Sequence, residues 1–298
     1  ATTPWGGSRE GTGYGDSHQT LLMCWRLWRD GTGEDRTKSL PFVRRSIDYW
    51  IHATAPSLKV LAPISEQARV SMAPVFDYHR HLMLEAVNLS PGTEEARRGR
   101  WWLEACYPKM DLGMMYPYDT LDVRGEKTPP AVTFYASPEV GHFFWRTAWK
   151  PDARYIYFTA GRYDENHQLD EQGAFGLWAK GKWQSVTANY FSGSGGAVSA
   201  ENHNVVRFEQ AGKVLRPKWM TDPGKVTVEM DAGRFQASAD LSPFFPGSTW
   251  VRRLDFDGSR LLVDDDCTTP AGTSAYWQLQ LAEQPSVLGL LASTPDLS

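Results

Sequence analysis

The sequence predicts a multi-domain α+β protein, in which a helical layer forming part of an α/α toroid precedes a large antiparallel β-sandwich. Two observations support this fold class. In the first third of the chain, apolar residues recur at the i, i+4, i+7 and i+8 positions typical of amphipathic helices. From Ala131 onward this period disappears, and short apolar runs alternate with Gly, Pro and Asp. Since no helical segments separate these runs, we expect antiparallel strand pairing.

Four helices are expected before residue 112, with ends set by caps and breakers. Asp16 or Ser17 is predicted to cap the first helix, which ends at Gly31 and Gly33. The other three helices are expected to begin at or near Pro41, Pro74 and Thr93. Short loops join the four helices, which is typical of a helical layer or toroid.

Three regions follow from these patterns. Residues 1–112 form the helical, toroid-like domain, residues 113–130 a linker rich in Pro, Gly and Asp, and residues 131–298 the sandwich. Ten strands are expected in the sandwich, in the runs VTFYAS, HFFWRTAW, RYIYFTAG, FGLWA, WQSVTANYF, NVVRFE, KVTVEM, RFQASADL, WVRRLDF and RLLVDD.

The composition is that of a globular protein without a nucleic-acid signature. The chain has 298 residues, of which 41% are hydrophobic and 22% charged, and its formal net charge is −4. No apolar run is long enough for a membrane span, and no signal peptide is recognised, so the N-terminus does not indicate a compartment. Thirteen Trp, twelve Tyr and thirteen Phe are present. Most are expected in the core, but exposed aromatic rings also form platforms for sugar rings.

Cysteine and histidine spacing gives no metal or disulfide motif. Cys24, Cys106 and Cys267 are too few and too far apart for a disulfide framework, and Cys24 and Cys106 are expected to be buried helix residues. His79 and His81 stand two residues apart on a predicted helix, where their side chains point to different faces. The N-terminal glycines are not followed by GK[ST], which excludes a phosphate loop.

The stretch from Gly161 to Val206 is the strongest candidate for a functional site. It contains His167 and His203, each in a polar setting beside a predicted strand, with a Gly/Ser-rich loop between them. Histidine exchanges protons near neutral pH more readily than other side chains. Such a loop allows a long substrate to approach the backbone closely.

Three segments, taken in order, resemble the heparinase II/III-type polysaccharide lyases. GGSREGTGY, which leads into a helix, is similar to that family's EGxxY segment. GHFFWRTAWKPDARYIYFTAG is similar to its entry into a β-sandwich. HQLDEQGAFGLWAKGKW, followed later by ENHNVV, is similar to its HxHxDxxSFxLxxxG stretch and later HN. The family's fold, an α/α toroid followed by an antiparallel sandwich, agrees with the fold expected from periodicity.

The resemblance implies roles for individual residues. Tyr14 takes the place of the family's catalytic tyrosine, and His167 that of the first histidine of HxHxD, which acts as acid or base. His203 takes the place of the histidine of HN. Substrate-binding candidates around them are His203, Arg146, Tyr190, Arg9 and Arg162.

Departures from the family pattern affect the expected zinc site. Leu169 stands where the second histidine of HxH binds zinc, Thr187 stands at another ligand position, and Glu171 replaces an Asp. Zinc needs about four ligands, and only His203 remains of the three family ligands. We therefore expect no metal and no cofactor. The family's carboxylate-neutralising Asn or His falls before residue 1, so either the chain is a fragment of a longer enzyme or its toroid is shortened.

The implied activity is β-elimination on a uronic-acid polysaccharide in a secreted or periplasmic setting. The expected partner is thus an acidic polysaccharide or oligosaccharide, together with a further N-terminal toroid segment, and neither nucleic acid nor membrane. Two alternatives stay open. One is a non-catalytic carbohydrate-binding protein on the same scaffold. The other is a glycoside hydrolase, which needs two facing carboxylates about 5–10 Å apart, such as Glu10 with Asp170 or Glu171.

Overall fold

The computed structural model describes residues 3–66, 74–106, 124–187, 198–282, 286–288 and 291–293. All four predicted helices are found, namely α1 Gly15–Thr32, α2 Pro41–Ala53, α3 Asp77–Leu89 and α4 Glu94–Ala105. The starts of α2 and α4 agree with the predicted Pro41 and Thr93, whereas α3 begins three residues after Pro74. The start of α1 also differs from the prediction. There the N-cap is Tyr14, whose side chain makes no capping hydrogen bond, in place of the predicted Asp16 or Ser17. At α4, Thr93 accepts the backbone N–H of Ala96, as a threonine N-cap does.

The remainder consists of antiparallel sheets. A five-stranded sheet has the order β1-β2-β3-β4-β5, a four-stranded sheet β11-β10-β9-β8, a three-stranded sheet β12-β6-β7 and a two-stranded sheet β13-β14. The strands are β1 Phe134–Ser137, β2 His142–Arg146, β3 Tyr155–Thr159, β4 Phe175–Ala179, β5 Lys182–Ser185, β6 Val206–Gln210, β7 Lys213–Val214, β8 Val226–Met230, β9 Phe235–Asp240, β10 Thr249–Phe256, β11 Leu261–Thr268, β12 Thr273–Trp277, β13 Ser286–Leu288 and β14 Leu291–Ser293. Each of the ten predicted runs overlaps one of these strands, and β7, β12, β13 and β14 lie outside the predicted runs.

The five-stranded sheet is the middle layer of the fold. One of its faces packs against the helices, in a core that contains Trp50, Leu82 and Phe144. Its other face packs against the four-stranded and three-stranded sheets, in a second core that contains Phe143 and Trp250. Every residue of β2 and β3 is buried. Sheets covered on both faces have continuous apolar strands, which explains the runs HFFWR and YIYFT.

The helical part therefore rests directly on the sandwich. The predicted division into domains stays a prediction, and its boundary falls between α4 and β1, where residues 107–123 are not described. Across the described ranges, no helix combines the length and the apolar character needed to cross a bilayer.

The burial prediction for one cysteine was wrong. Cys106 is buried as expected, whereas Cys24 is exposed on α1, and all three cysteines are free. The buried face of α1 runs through His18 and Leu22. Cys24 lies two residues beyond Leu22, which turns its side chain to the other side of the helix.

Candidate active site

The structure brings Tyr14 and His167 into direct contact, although they lie far apart in the sequence. Tyr14 immediately precedes α1, and His167 lies in the loop between β3 and β4. Their ring centroids are 4.1 Å apart and their planes differ by 27°, so the two rings stack. The candidate site therefore lies where the helical layer meets the sandwich. The two residues predicted as the catalytic pair are neighbours in space.

The first turn of α3 holds the backbone that leads to Tyr14. His79 Nε2 donates to the carbonyl of Thr12 at 2.8 Å, while His79 Nδ1 accepts the N-cap N–H of α3 at 3.0 Å. Tyr78 donates its hydroxyl to the carbonyl of Gly13. Burial lowers the pKa of His79 to about 3, so the ring stays neutral and keeps this pattern of one donor and one acceptor.

Glu66 fixes the orientation of His167. The carboxylate oxygen Oε2 lies 2.7 Å from His167 Nδ1, and the Glu66 backbone N–H donates to the His167 carbonyl at 2.8 Å. Glu66 is 1% exposed and His167 is 35% exposed, so the buried carboxylate holds a ring that solvent reaches. A carboxylate only accepts hydrogen bonds, and Nδ1 therefore carries the proton. In the neutral ring, Nε2 is then free to act as a base.

Sequence reasoning missed Glu66. It lies between α2 and α3, outside the three segments that carry the family resemblance. Nothing in its local pattern distinguishes it from a surface glutamate. Only the packing of that loop on the β3–β4 loop reveals its role.

A second buried carboxyl supports the Glu66 segment from the sandwich side. Glu171 Oε1 accepts the backbone N–H of Ser65, the residue before Glu66. Ser65 adopts a left-handed conformation with φ of 60°. Burial, as the largest cause, raises the pKa of Glu171 to about 7. This contact links the stretch predicted from the sequence to the loop that orients His167.

Replacing Glu171 with Gln is expected to change the pH dependence of stability. A folded-state pKa raised from 4.5 to about 7 means that the stabilising contribution is full below pH 4.5 and is lost as pH rises through about 7. The amide keeps an acceptor for Ser65 and does not ionise. The free energy of unfolding of the wild type should therefore fall between pH 5 and pH 8 relative to that of Glu171→Gln. The change in this difference is about 3 kcal/mol at most. Urea unfolding at both pH values measures this, and an equal difference at the two would contradict it.

Two of the predicted arginines meet at one carboxylate near His167. Arg9 Nη1 and Arg162 Nε both donate to Asp164 Oδ2, at 2.9 Å and 2.7 Å. Arg162 also pairs with Asp222. Asp164 lies three residues before His167, so this cluster joins the N-terminal segment to the β3–β4 loop. Both guanidinium groups are thus paired with carboxylates, and both side chains stay partly exposed.

Arg146 lies elsewhere. It is fully buried and donates from Nη2 to the carbonyls of His52 and Thr54, at 2.9 Å and 2.6 Å. Its guanidinium stacks on the rings of Trp149 and Tyr155. These contacts tie β2 to the end of α2. Arg146 therefore has a structural role in place of the predicted substrate-binding role, because no atom of its side chain reaches solvent.

His203, another predicted binding residue, is placed unfavourably for contact with a substrate. His203 is buried, and its carbonyl accepts a hydrogen bond from Gln278. Tyr190 and the Gly/Ser-rich loop lie outside the described residues. The neighbouring Asn204 donates to the Phe175 carbonyl and the Ser185 hydroxyl, which makes the HN pair part of the packing between strands.

The carboxylates considered for a hydrolase are engaged in other contacts. Asp170 is 2% exposed and accepts two hydrogen bonds from Arg216 Nε and Nη2, at 2.9 Å and 3.0 Å. Glu171 is equally buried, and Glu10 accepts from the hydroxyl of Ser17. Neither Asp170 nor Glu171 is presented to a substrate as a hydrolytic pair requires.

The residues at the family's zinc positions do not form a zinc-binding set. Leu169 has no ligand atom, and Thr187 offers only a buried hydroxyl. His203 alone carries a nitrogen ligand, and zinc sites in proteins need about three or four protein ligands.

A cleft of about 570 Å³ opens beside the loop that carries His167, and its lining includes neither Tyr14 nor His167. Its walls come from the β3–β4 loop, from Glu66 and from the segment that precedes β8. The lining residues are Glu66, Tyr163, Asn166, Gln168, Leu169, Val198, Arg216, Pro217 and Trp219. Neither Arg216 nor Trp219 is predicted as a site residue from the sequence, because no motif surrounds them.

The fold is that of polysaccharide lyase structures of the heparinase III type. One solved heparinase III gene product superposes with a TM-score of 0.70 and 14% identity, over 96% of this chain and 42% of that chain. The heparan sulfate lyase HepC from Pedobacter heparinus gives a TM-score of 0.68 and 13% identity, over 93% and 41%. The resemblance inferred from the sequence is thus confirmed at the level of fold.

No protein-family model matches the chain, and no curated protein sequence matches it. The chain spans about two fifths of the length of the lyase structures that it matches.

Proposed function

We propose that the chain carries the catalytic tyrosine and histidine of a polysaccharide lyase that cleaves a uronic-acid polymer by β-elimination. The observation that carries this proposal is the contact between Tyr14 and His167, with the His167 tautomer set by Glu66. A protein that only binds glycans does not need a solvent-reached imidazole held by a buried carboxylate. Such a pairing is typical of general acid–base catalysis.

The reaction requires the removal of one proton and the delivery of another. A base takes the proton from C5 of the uronate, the C4–O bond breaks, and a C4–C5 double bond forms. The leaving glycosidic oxygen takes up a proton. His167 Nε2 accepts the C5 proton, and the Tyr14 hydroxyl donates to the leaving oxygen. In a second version of the step, Tyr14 performs both transfers and His167 assists it.

The ring contact favours elimination from one side of the sugar. A separation of 4.1 Å between stacked rings leaves no room for a pyranose between them. The arrangement with His167 opposite Tyr14 across the substrate is therefore disfavoured. Both groups approach the scissile bond from the same face, which corresponds to syn geometry.

The charge that develops on the uronate carboxylate in the transition state needs stabilisation. The nearby cationic groups are Arg9 and Arg162. Both donate to Asp164, which lies three residues before His167. We assign them a supporting role in binding the acidic polymer. In this proposal, the four helices form part of an α/α toroid. The enzyme acts outside the cytoplasm, where such polymers occur.

A panel of uronate polymers tests the proposal. The chain is incubated separately with heparan sulfate, alginate and other uronate polymers, and the ultraviolet absorbance of the unsaturated product is followed. We expect a rise on at least one polymer. If no polymer gives a rise while circular dichroism shows a folded protein, the lyase assignment is wrong. Binding without a rise would then favour the non-catalytic carbohydrate-binding alternative.

A further inference from the structure

We propose that the cleft beside His167 is a binding subsite for one acidic pyranose unit, whose ring lies on the indole of Trp219 and whose carboxylate or sulfate contacts Arg216. The inference rests on the proposed function for the identity of the polymer, and it adds where a neighbouring sugar of that polymer is held. Both side chains line the cleft. Neither has a counterpart in the motifs that led to the catalytic pair.

Trp219 has the exposure and the support of a stacking platform. Its side chain is 43% exposed, unusual for an aromatic ring of this size in a protein whose other large rings mostly fill the two cores. The ring packs edge-to-face on Tyr163, with 5.1 Å between centroids and 82° between planes. The contact with Tyr163 thus holds the indole in place while a large part of the residue stays exposed. Sugar rings present C–H groups that stack on such faces.

The backbone around Trp219 is fixed on both sides. Lys218 donates its N–H to the Phe244 carbonyl at 2.8 Å. On the other side, Thr221 and Tyr163 exchange backbone hydrogen bonds, of 2.9 Å and 3.4 Å. A platform held in this way loses little conformational freedom when a ligand binds, which favours affinity.

Arg216 supplies a directed cation next to the platform. Its Nε and Nη2 donate to the buried carboxylate of Asp170, and Nη2 also donates to the Tyr163 hydroxyl at 3.1 Å. The side chain is nonetheless 62% exposed. Within the described residues its second amino group, Nη1, makes no hydrogen bond. The guanidinium is therefore held in place by one edge and offers two N–H groups to an anion on the sugar.

The cleft adjoins the catalytic pair through Glu66 and the loop that carries His167. Glu66, which orients His167, is one of its lining residues, as are Asn166 and Gln168 on either side of His167. Gln168 holds the loop in shape by accepting the N–H groups of Asp164 and Glu165, at 2.8 Å and 2.9 Å. A polymer cleaved at Tyr14 and His167 thus has a place for an adjoining unit against the sandwich.

Isothermal titration calorimetry with tetrasaccharides tests the subsite without requiring turnover. The probes are a heparan sulfate tetrasaccharide, a polymannuronate tetrasaccharide and the neutral cellotetraose. We expect the wild type to bind one acidic probe about ten-fold more tightly than the neutral one, and Trp219→Ala to weaken that binding about ten-fold. Trp219→Phe keeps a stacking face and should stay within about three-fold of the wild type.

Two further variants complete the design. Trp28→Ala is the matched control, because Trp28 is also 43% exposed and lies near the far end of α1 from Tyr14. Its binding should equal that of the wild type. The double variant Arg216→Gln with Asp170→Asn removes the cation without leaving a buried charge, and it should abolish the preference for the acidic probe. Thermal melting confirms folding of each variant.

The outcomes separate the subsite from the lyase activity. Unchanged binding by Trp219→Ala, a retained acidic preference in the double variant, or no binding of any probe by the wild type each overturns the subsite. If the wild type binds through Trp219 but gives no unsaturated product on any polymer, the subsite stands and the proposed activity falls. If product forms and Trp219→Ala leaves binding and kcat/KM unchanged, the proposed activity stands and the subsite falls.

Discussion

Replacing Tyr14 with Phe, or His167 with Ala, is expected to lower kcat/KM for β-elimination by about 10²–10⁴-fold. The Phe ring preserves the stack on His167, so this variant removes the hydroxyl and little else. His167→Ala removes the imidazole whose Nδ1 is bound by Glu66. The measurement is the initial rate of ultraviolet absorbance on the polymer that the wild type cleaves.

One control variant and one positioning variant make this result specific. Tyr276→Phe removes the hydroxyl of a tyrosine that is 44% exposed on β12, away from the site, and should leave the rate unchanged. Glu66→Gln tests positioning, because an amide oxygen still accepts the Nδ1 proton but carries no charge. We expect a loss of about ten-fold for this variant, with an altered pH–rate profile. Full activity in Tyr14→Phe would remove that hydroxyl from the mechanism.

The largest effect on stability is expected from Arg252→Leu, which should lower the free energy of unfolding by about 3–5 kcal/mol. Arg252 is fully buried, and its Nε and Nη2 each donate to the Asp265 carboxylate at 2.8 Å. Its Nη1 donates to the carbonyls of Gly173 and Asn204. Removal of the guanidinium leaves the Asp265 carboxylate, a largely buried charge, without its ion pair.

The adjacent residue provides the control for this prediction. Arg253 pairs with Asp264 at 3.0 Å, but both side chains are more than half exposed. Arg253→Leu should therefore change the free energy of unfolding by no more than about 1 kcal/mol. Urea unfolding of the two variants makes the comparison. If Arg252→Leu unfolds within about 1 kcal/mol of the wild type, the buried pair is not the structural anchor that its contacts indicate.

Periodicity predicted the elements well because each one expresses a local pattern. The repeat of apolar residues in α2 and the Thr93 cap of α4 are visible in the sequence, and so are the continuous apolar runs of β2 and β3. The strands β7, β12, β13 and β14 were not predicted, and the N-cap of α1 was assigned to the wrong residue. β7 has only two residues, and the start of α1 offered two better capping residues than Tyr14.

The site was predicted less completely than the fold. Tyr14 and His167 were selected through motifs and lie in contact, and their catalytic roles stay a prediction. Arg146 was assigned to the site, yet its strand lies in the middle layer, where both faces are covered. Glu66 was not predicted, although its Oε2 lies 2.7 Å from Nδ1 of the candidate base His167. Nothing in the local sequence marks Arg146 as a structural residue or Glu66 as a site residue, because the burial of a polar side chain depends on what packs over it.

The sequence by itself determined the order of helices and strands, the change from a helical to a strand period near Ala131, and two of the residues at the site. The tertiary structure alone decided that Tyr14 and His167 touch, that Glu66 and Glu171 support them, and that Trp219 and Arg216 face one cleft. The physical reason is the range of the interactions. Periodicity and capping act within a few residues, whereas a proton-transfer site is assembled by hydrogen bonds and packing between segments remote in the chain.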